Sequence, residues 1–507
     1  MRFVVGGVLA VCGVWTAAAR GAMPPHEVSI RVGSGGSIVA VQKGPAAQQT
    51  LGGVAAAVTY PFPRPRLAGF SPLVAITTSN KKRGPLDDSP YEHLLESTYA
   101  GQHINPFPDA DYVIGILDSG SVVDLASDFY GMVLGLTGQY MTSNTIPIGG
   151  VGGTVFAPIS QPLGVFAAGF SAINSNGNLN FSAVKGHSNV SAVVAPDLAC
   201  GNGEELTAVV GTPFLAFYNS VIRVDTPIRV LYDTKTYLSP SVVIQSQSTS
   251  LPSFPRRFAM EVGGLEPVMT ASFFPDFEDL VTPFMPTMLS FTPASFPTGA
   301  AFFANVSLRQ GEAGPNNTPT AARLLVDTGA QSSIISPAMA ANLNLPISPD
   351  FLVDACGIGG LVTNIPGYYV DYVKIHALGG ALEFSRAPFI VLDLGSPEGG
   401  PLDGVLGMNF FWNRNVILQP SIAGSSFFHV SDPVPFAAPD FDLDLHVDAP
   451  DWAIQEFCFT GPGVGLVGPE CAHTDIDEDG DVDIADFAVL QRCYSGPDAP
   501  ADTTCGH

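Results

Sequence analysis

The 507-residue sequence predicts a mainly β protein built from two repeated halves, followed by a small, compositionally distinct module at the C-terminus. Three observations predict this class. Gly (54) and Pro (44) are abundant, and charged residues make up 13% against 46% hydrophobic, a balance that suits turn-rich β structure and argues against disorder or a coiled coil. A long internal duplication covers most of the chain. Finally, residues 440–507 stand apart in composition, with 16 Asp and Glu against one basic residue, Arg492.

Taken in order, Arg2 precedes an apolar run from Phe3 to Trp15 and then Ala17, Ala18 and Ala19, so residues 1–19 read as a secretory signal with a small-residue cleavage site. The expected location is exported: secreted, periplasmic or at the cell surface. No later run is long and apolar enough for a spanning helix, so no transmembrane span is expected after signal removal. Residues 20–104 match nothing else in the chain and are expected to be a pro-segment or extra strands; Lys81, Lys82 and Arg83 mark a candidate processing site. A net charge of −25 excludes nucleic acid as a favoured partner, because a phosphate backbone would be repelled.

The duplication defines lobe 1 (105–232) and lobe 2 (288–430), with 233–287 as an interlobe insertion. The first copy reads YVIGILDSGS (112–121), IGGVGG (148–153) and VVGTPFL (209–215). The second reads ARLLVDTGAQSS (322–333), CGIGG (356–360) and GVLGMNFF (404–411). Spacings agree within loop-sized differences: 32 residues from Asp118 to Gly150 and 30 from Asp327 to Gly357. Each Asp-Ser/Thr-Gly triplet ends an apolar strand, which puts a carboxylate where strand gives way to turn. The glycine runs read as hairpin tips: Gly149, Gly150, Gly152 and Gly153 in one copy, Gly357, Gly359 and Gly360 in the other.

Two carboxylates brought together can share one proton, because like charges a few Å apart cannot both ionise cheaply. Such a pair holds a base for water and an acid for a carbonyl oxygen at once. Asp118 and Asp327 are the candidate catalytic residues. Gly120 and Gly329 permit the tight turns, Ser119 and Thr328 can bond the backbone to hold them, and the Ser121 hydroxyl after the first triplet could donate to the ionised pair. A single triplet is a common accident; two in matching context are not. These residues resemble the two lobes of an aspartic protease. The resemblance implies two pseudo-symmetric β-barrel lobes with an active-site cleft between them, one catalytic Asp per lobe, a polypeptide substrate, no catalytic cofactor, a supporting strand at Val209–Gly211 and Val405–Gly407, and glycine flaps at the two tips. Ala330 stands where pepsin-like members have Ser or Thr. With one hydroxyl donor fewer, the dyad should ionise less readily and the pH optimum should be less acid than pepsin's. Phe156, Ile334, Phe410 and Phe411 are candidates for an apolar substrate lining, with plain core as the alternative.

After a Pro-rich linker (431–439), the tail (440–507) contains its own duplication at an offset of 35 residues. Asp475, Asp477, Asp479, Asp481, Asp483 and Asp486 occupy positions 1, 3, 5, 7, 9 and 12 of a twelve-residue loop with Gly480 at position 6, the spacing of a calcium loop with hard oxygen ligands. The first copy keeps Asp at positions 1, 3, 5, 9 and 12 but has Leu445 at position 6, so weak or no Ca2+ binding is expected there. The cysteine spacing suggests bridges Cys458 to Cys471 and Cys493 to Cys505, one of three pairings. This tail resembles the dockerin type of EF-hand repeat, which implies Ca2+ and a cohesin-like or cell-surface partner.

The reading is therefore an exported aspartic endopeptidase with a calcium-binding tail. The alternatives are a catalytically inactive binding protein on the same fold, or a calcium-dependent surface structural protein.

Overall fold

A computed structural model describes residues 60–79, 113–133, 141–160, 163–172, 183–196, 208–232, 235–263, 300–357, 360–397, 400–421, 425–465 and 468–506, with positions 136 and 138 and short strands at 26–32, 36–42, 99–100, 103–104, 199–200, 204–205 and 289–290. The expected signal (1–19), the basic run Lys81–Arg83 and tip residue Gly359 lie outside the described residues, as does most of 20–104.

The described chain is mainly β, with two large sheets. The first contains β1 (Leu73–Ser79), β2 (Val113–Leu117), β3 (Leu125–Ser127), β4 (Met141–Gly150), β5 (Gly153–Ser160), β6 (Leu163–Gly169), β7 (Lys185–Val190), β8 (Val193–Ala195) and β9 (Ala208–Val210). The second is built from β10 (Tyr218–Tyr232), β11 (Lys235–Ser246), β12 (Arg256–Gly263), β13 (Ala301–Arg309), β14 (Thr320–Val326), β15 (Ile334–Ile335), β16 (Phe351–Gly357), β17 (Gly360–Ile375), β18 (Leu382–Val391), β19 (Gly404–Leu406), β20 (Arg414–Gln419) and β21 (Ser426–Pro433).

One pairing pattern occurs in both sheets. In the first, β2 runs parallel to β9, β9 antiparallel to β3, and β3 parallel to β8. In the second, β14 runs parallel to β19, β19 antiparallel to β15, and β15 parallel to β18. Strands enclosed on both faces read as unbroken apolar runs, and β2 (VIGIL) and β19 (GVL) are buried throughout. The hairpins β4/β5 and β16/β17 close at Gly150 opposite Gly153 and at Gly357 opposite Gly360, with Gly153 and Gly360 at φ +120° and +108°, where a side chain is strained.

Two segments outside the duplication supply strands. From the N-terminal region, β1 lies between β6 and β2 at the centre of the first sheet. In the segment expected as an insertion, β11 and β12 join the second sheet, and the β10/β11 hairpin runs straight through the boundary drawn at 232/233. Both are long strands whose buried residues join the main core beside Phe258, Phe411 and Phe428, whose ring centroids lie 5.0–6.3 Å apart. Among the described residues no helix is long and apolar enough to cross a membrane.

The tail holds two helices, α1 (Ala449–Cys458) and α2 (Ile484–Cys493), each opened by a capping Asp, Asp448 and Asp483. The bridges Cys458–Cys471 and Cys493–Cys505 both form. The repeats embrace reciprocally: the Val447 carbonyl accepts from Ser495 N and Gly496 N, and the Val482 carbonyl from Thr460 N and Gly461 N. Between the helices, Trp452 and Phe487 pack with ring centroids 4.5 Å apart.

Candidate active site

Each aspartate leaves a buried parallel strand at its C-terminal end, held there by its own N–H: Asp118 N donates to Val210 O (2.9 Å) and Asp327 N to Leu406 O (3.1 Å). The chain then turns back over the carboxylate. Asp118 Oδ1 accepts from Gly120 N (2.8 Å) and Ser121 N (3.0 Å), and Asp327 Oδ1 from Gly329 N (2.9 Å) and Ala330 N (3.0 Å). Hydrogen bonds to the charged form favour it, so each turn is built to hold an anionic oxygen.

The two turns also hold each other. Ser119 N donates to Thr328 Oγ1 (3.0 Å), and Thr328 N donates to Ser119 Oγ (3.1 Å). Each hydroxyl then crosses to the opposite strand, Ser119 Oγ to Val326 O (2.8 Å) and Thr328 Oγ1 to Leu117 O (2.7 Å). All four hydroxyl and amide groups are buried, so losing either hydroxyl would orphan a partner. Glycine is required at the crossing. A Cβ at Gly120 would stand 2.3 Å from Asp327 Oδ2, and one at Gly329 would stand 2.6 Å from Asp118 Cγ. Each carboxyl group therefore lies against the other turn's glycine, and the pair faces across the interlock.

Below the turns, Gly211 and Gly407 press on the chain from underneath. A Cβ at Gly211 would meet Val123 O at 2.1 Å, and one at Gly407 would meet Ser332 O at 2.6 Å. Above them, the tip of the first hairpin places Val151 in the apolar cluster of Leu325, Ala330 and Ile334, which belong to the second half. The described tip residues Gly149, Gly150, Gly152 and Gly153 surround it. Gly357 and Gly360 close the second hairpin.

Two sequence expectations are corrected. Ser121 Oγ donates to Val123 O (2.8 Å), so this hydroxyl serves its own turn and not the dyad. Ala330 therefore removes no donor from the dyad, and the less acid optimum loses its basis. Of the four candidate lining residues, Ile334, Phe410 and Phe411 are core, and Phe410 packs edge-on against Phe384 at 4.9 Å. Phe156 is exposed at 69%.

Sequence reasoning missed the strap 60–72, whose residues repeat nothing. It runs beside the second turn: Gly69 N donates to Gln331 O (2.8 Å), Gln331 Nε2 donates to Ser71 Oγ (2.9 Å), and Ser332 Oγ donates to Leu67 O. Arg66 is sunk over the Trp412 ring (4.2 Å) and donates to Phe441 O of the tail (2.9 Å). Arg64 pairs with Glu478 (2.9 Å), and Arg229 pairs with Asp444. Three arginines thus fasten the acidic tail to the β body.

In the tail, carboxyl oxygens of Asp475, Asp477 and Asp486 lie within 4.8 Å of one another, as do those of Asp481, Asp483 and Asp486. Asp475 Oδ1 and Asp481 Oδ1 are buried without a hydrogen-bond partner, a set of hard oxygens that fits a cation such as Ca2+. Burial, with the Asp486 charge next, pushes the Asp475 carboxyl up to about 7, and burial raises Asp477 and Asp481 as well. Asp479 lies between them, its Oδ1 accepting from Asp481 N (3.2 Å). The first copy keeps the same backbone: Phe441 N and Ile476 N each donate to the position-12 carboxylate at 2.6 Å. Leu445, at φ +73°, adopts the conformation for which the second copy uses Gly480, at φ +97°.

A depression of about 590 Å3 beside 249–257, Gln419 and His429 shares no residue with the aspartate turns.

No curated protein matches the chain. Among solved structures it is similar to the crystal structure of an aspartic proteinase from Irpex lacteus, at 11% identity over 80% of this chain and 98% of that one, with a TM-score of 0.34, too low to bear on function. Residues 313–410 match the family model described as aspartyl protease, and they contain the second aspartate turn and the glycine strand beneath it. That stretch of the chain is similar to an aspartyl protease domain.

Proposed function

We propose that the protein is an exported aspartic endopeptidase in which Asp118 and Asp327 form one catalytic dyad between two pseudo-symmetric lobes. The observation that carries this reading is the interlock, which lays each carboxyl group against the opposite turn's glycine. In the reaction, the ionised member takes a proton from a water molecule, whose oxygen bonds to the scissile carbonyl carbon. The protonated member gives its proton to the carbonyl oxygen. As the tetrahedral intermediate collapses, the C–N bond breaks, the member that took the water proton gives it to the nitrogen, which leaves as the amine, and the other member takes a proton from a hydroxyl of the intermediate, so the pair again shares one proton. Val151 at the first tip, with its neighbouring glycines, covers the cleft as a flap.

Asp475, Asp477, Asp479, Asp481, Asp483 and Asp486 would hold Ca2+, which supplies fixed positive charge that neutralises and stiffens the loop. Three arginine contacts from the body support a structural role for the tail. A cohesin-like or cell-surface partner remains compatible with its outer face.

The test is digestion of unfolded casein across pH 3–7. Cleavage blocked by pepstatin and lost in both Asp118→Asn and Asp327→Asn supports the assignment, whereas cleavage that survives both changes removes it. Calorimetric titration with Ca2+, with and without Asp486→Ala, tests the tail.

A further inference from the structure

The two halves match bond for bond beneath the dyad until the sixth residue after each aspartate. Thr212 N donates to Ser121 O and Met408 N to Ala330 O, both at 2.8 Å. Next, Gly407 N donates to Ser333 Oγ (2.9 Å), and Ser333 Oγ donates to Asn409 Oδ1 (2.7 Å), so this hydroxyl is satisfied as acceptor and donor. In the first half the same glycine amide, Gly211 N, donates to a carboxyl oxygen, Asp124 Oδ1 (2.8 Å). The residue at Asn409's position is Pro213, which has nothing to offer. Asp124 is 2% exposed, and its Oδ2 has no hydrogen-bond partner.

A buried carboxylate with one N–H donor and no cation is costly; the neutral acid is not. The surrounding elements cannot help. β3, β8, β9 and Thr212–Leu215 carry no ionisable side chain, and the nearest charged groups in sequence are the aspartates Asp118 and Asp128, of like sign. Thr212 Oγ1, beside Gly211, is also buried without a partner.

We propose that Asp124 is held as a neutral acid and acts as a positioning residue for the first aspartate turn: its ionisation would leave a buried charge that the Gly211 N–H alone does not offset, loosening the packing beneath Gly211 and, through the β9–β2 pairing, beneath Asp118. The second half, with Ser333, has no such limit. The proposal rests on the peptidase reading for its effect on rate but not for its effect on folding. Burial is the larger influence on Asp124 and the Gly211 N–H the smaller, opposing one; together they raise its carboxyl from 3.8 to about 7. The sign follows from linkage. The folded state binds this proton more tightly than the unfolded state, so the group's contribution to stability falls as pH rises from about 3.8 to about 7 and is level above that.

The experiment compares the wild type with Asp124→Asn and with Asp124→Ser, the residue of the other half. In kcat/KM against pH, the wild type should lose activity on the alkaline side with a midpoint near neutrality, and the variants should extend that limb by about one unit or more. Melting temperature, read without substrate, should fall between pH 4 and 7 in the wild type relative to either variant. A wild-type alkaline limb and melting profile that coincide with those of folded variants would overturn the proposal. If no form cleaves peptides, the peptidase reading fails and the melting comparison still decides Asp124. If neither variant folds, the Gly211 amide shift in wild-type protein labelled at glycine decides: a midpoint near 7 supports the neutral acid, and one below about 5 rejects it.

Discussion

The first and second aspartate turns are built from the same backbone bonds and differ in the side chains beneath them. Both carboxylates collect two N–H donors, both hydroxyls cross to the opposite strand, and both turns sit on a glycine. The first turn adds Ser121, spent on Val123 O, and rests on the carboxyl of Asp124. The second has Ala330 in an apolar cluster and rests on the hydroxyl of Ser333. The matched bonds are those that bring two carboxyl groups together; the unmatched ones set how each half tolerates pH and strain. Equivalence is needed where the two carboxyl groups meet and not one layer below.

The most severe way to break the pair is to remove its ionisable groups one at a time. Asp118→Asn and Asp327→Asn should each lower kcat/KM for casein by about 1,000-fold or more, with circular dichroism unchanged, since a lone carboxyl cannot serve as base and acid together. Unequal losses in the two variants would show that the halves are not interchangeable. Forcing the turns apart comes next. Gly120→Ala and Gly329→Ala put a methyl within 2.3 and 2.6 Å of the facing carboxyl group, and each should cost about 100-fold in rate, with tight-binding transition-state mimics such as pepstatin weakened in parallel.

Smaller effects sharpen the contrast. Thr328→Val leaves Ser119 N and Leu117 O unpaired, and Ser119→Ala does the same to Thr328 N and Val326 O. Each should destabilise by about 1–3 kcal/mol in urea melts, by equal amounts if the interlock is symmetric. Smallest is Ala330→Ser, which copies the first turn into the second. Its hydroxyl should bond the local backbone as Ser121 does and move the acid limb of the pH profile by under about 0.5 unit; a larger shift would show that a hydroxyl there reaches the dyad after all.

What could be read in advance depended on whether a residue's role repeats. The triplets, the glycine tips and the supporting glycines all occur twice at similar spacing, and the twelve-residue acidic loop and both disulfides announce themselves by local register. Asp124 was readable in principle: aligning the copies sets it against Ser333, an acid at the head of a buried strand. Nothing local marks the strap 60–72, because its partners Gln331, Trp412 and Phe441 lie hundreds of residues away. The aromatic pair Phe410 and Phe411 is as apolar as a cleft lining, and only packing against Phe384 and Phe428 assigns it to the core.

By itself the sequence determined the chemistry at hand, two strand-ending aspartates each followed by a hydroxyl and a glycine, together with a tail that crowds carboxylates onto one loop. These follow from short-range spacing and from the conformations glycine alone adopts freely. The tertiary structure decided which hydroxyl bonds which backbone, that each carboxyl group rests against the other turn's glycine, and that Asp124 lacks a second partner. Those outcomes depend on distances between residues far apart in the chain, and a hydrogen bond is made or lost within a few tenths of an ångström.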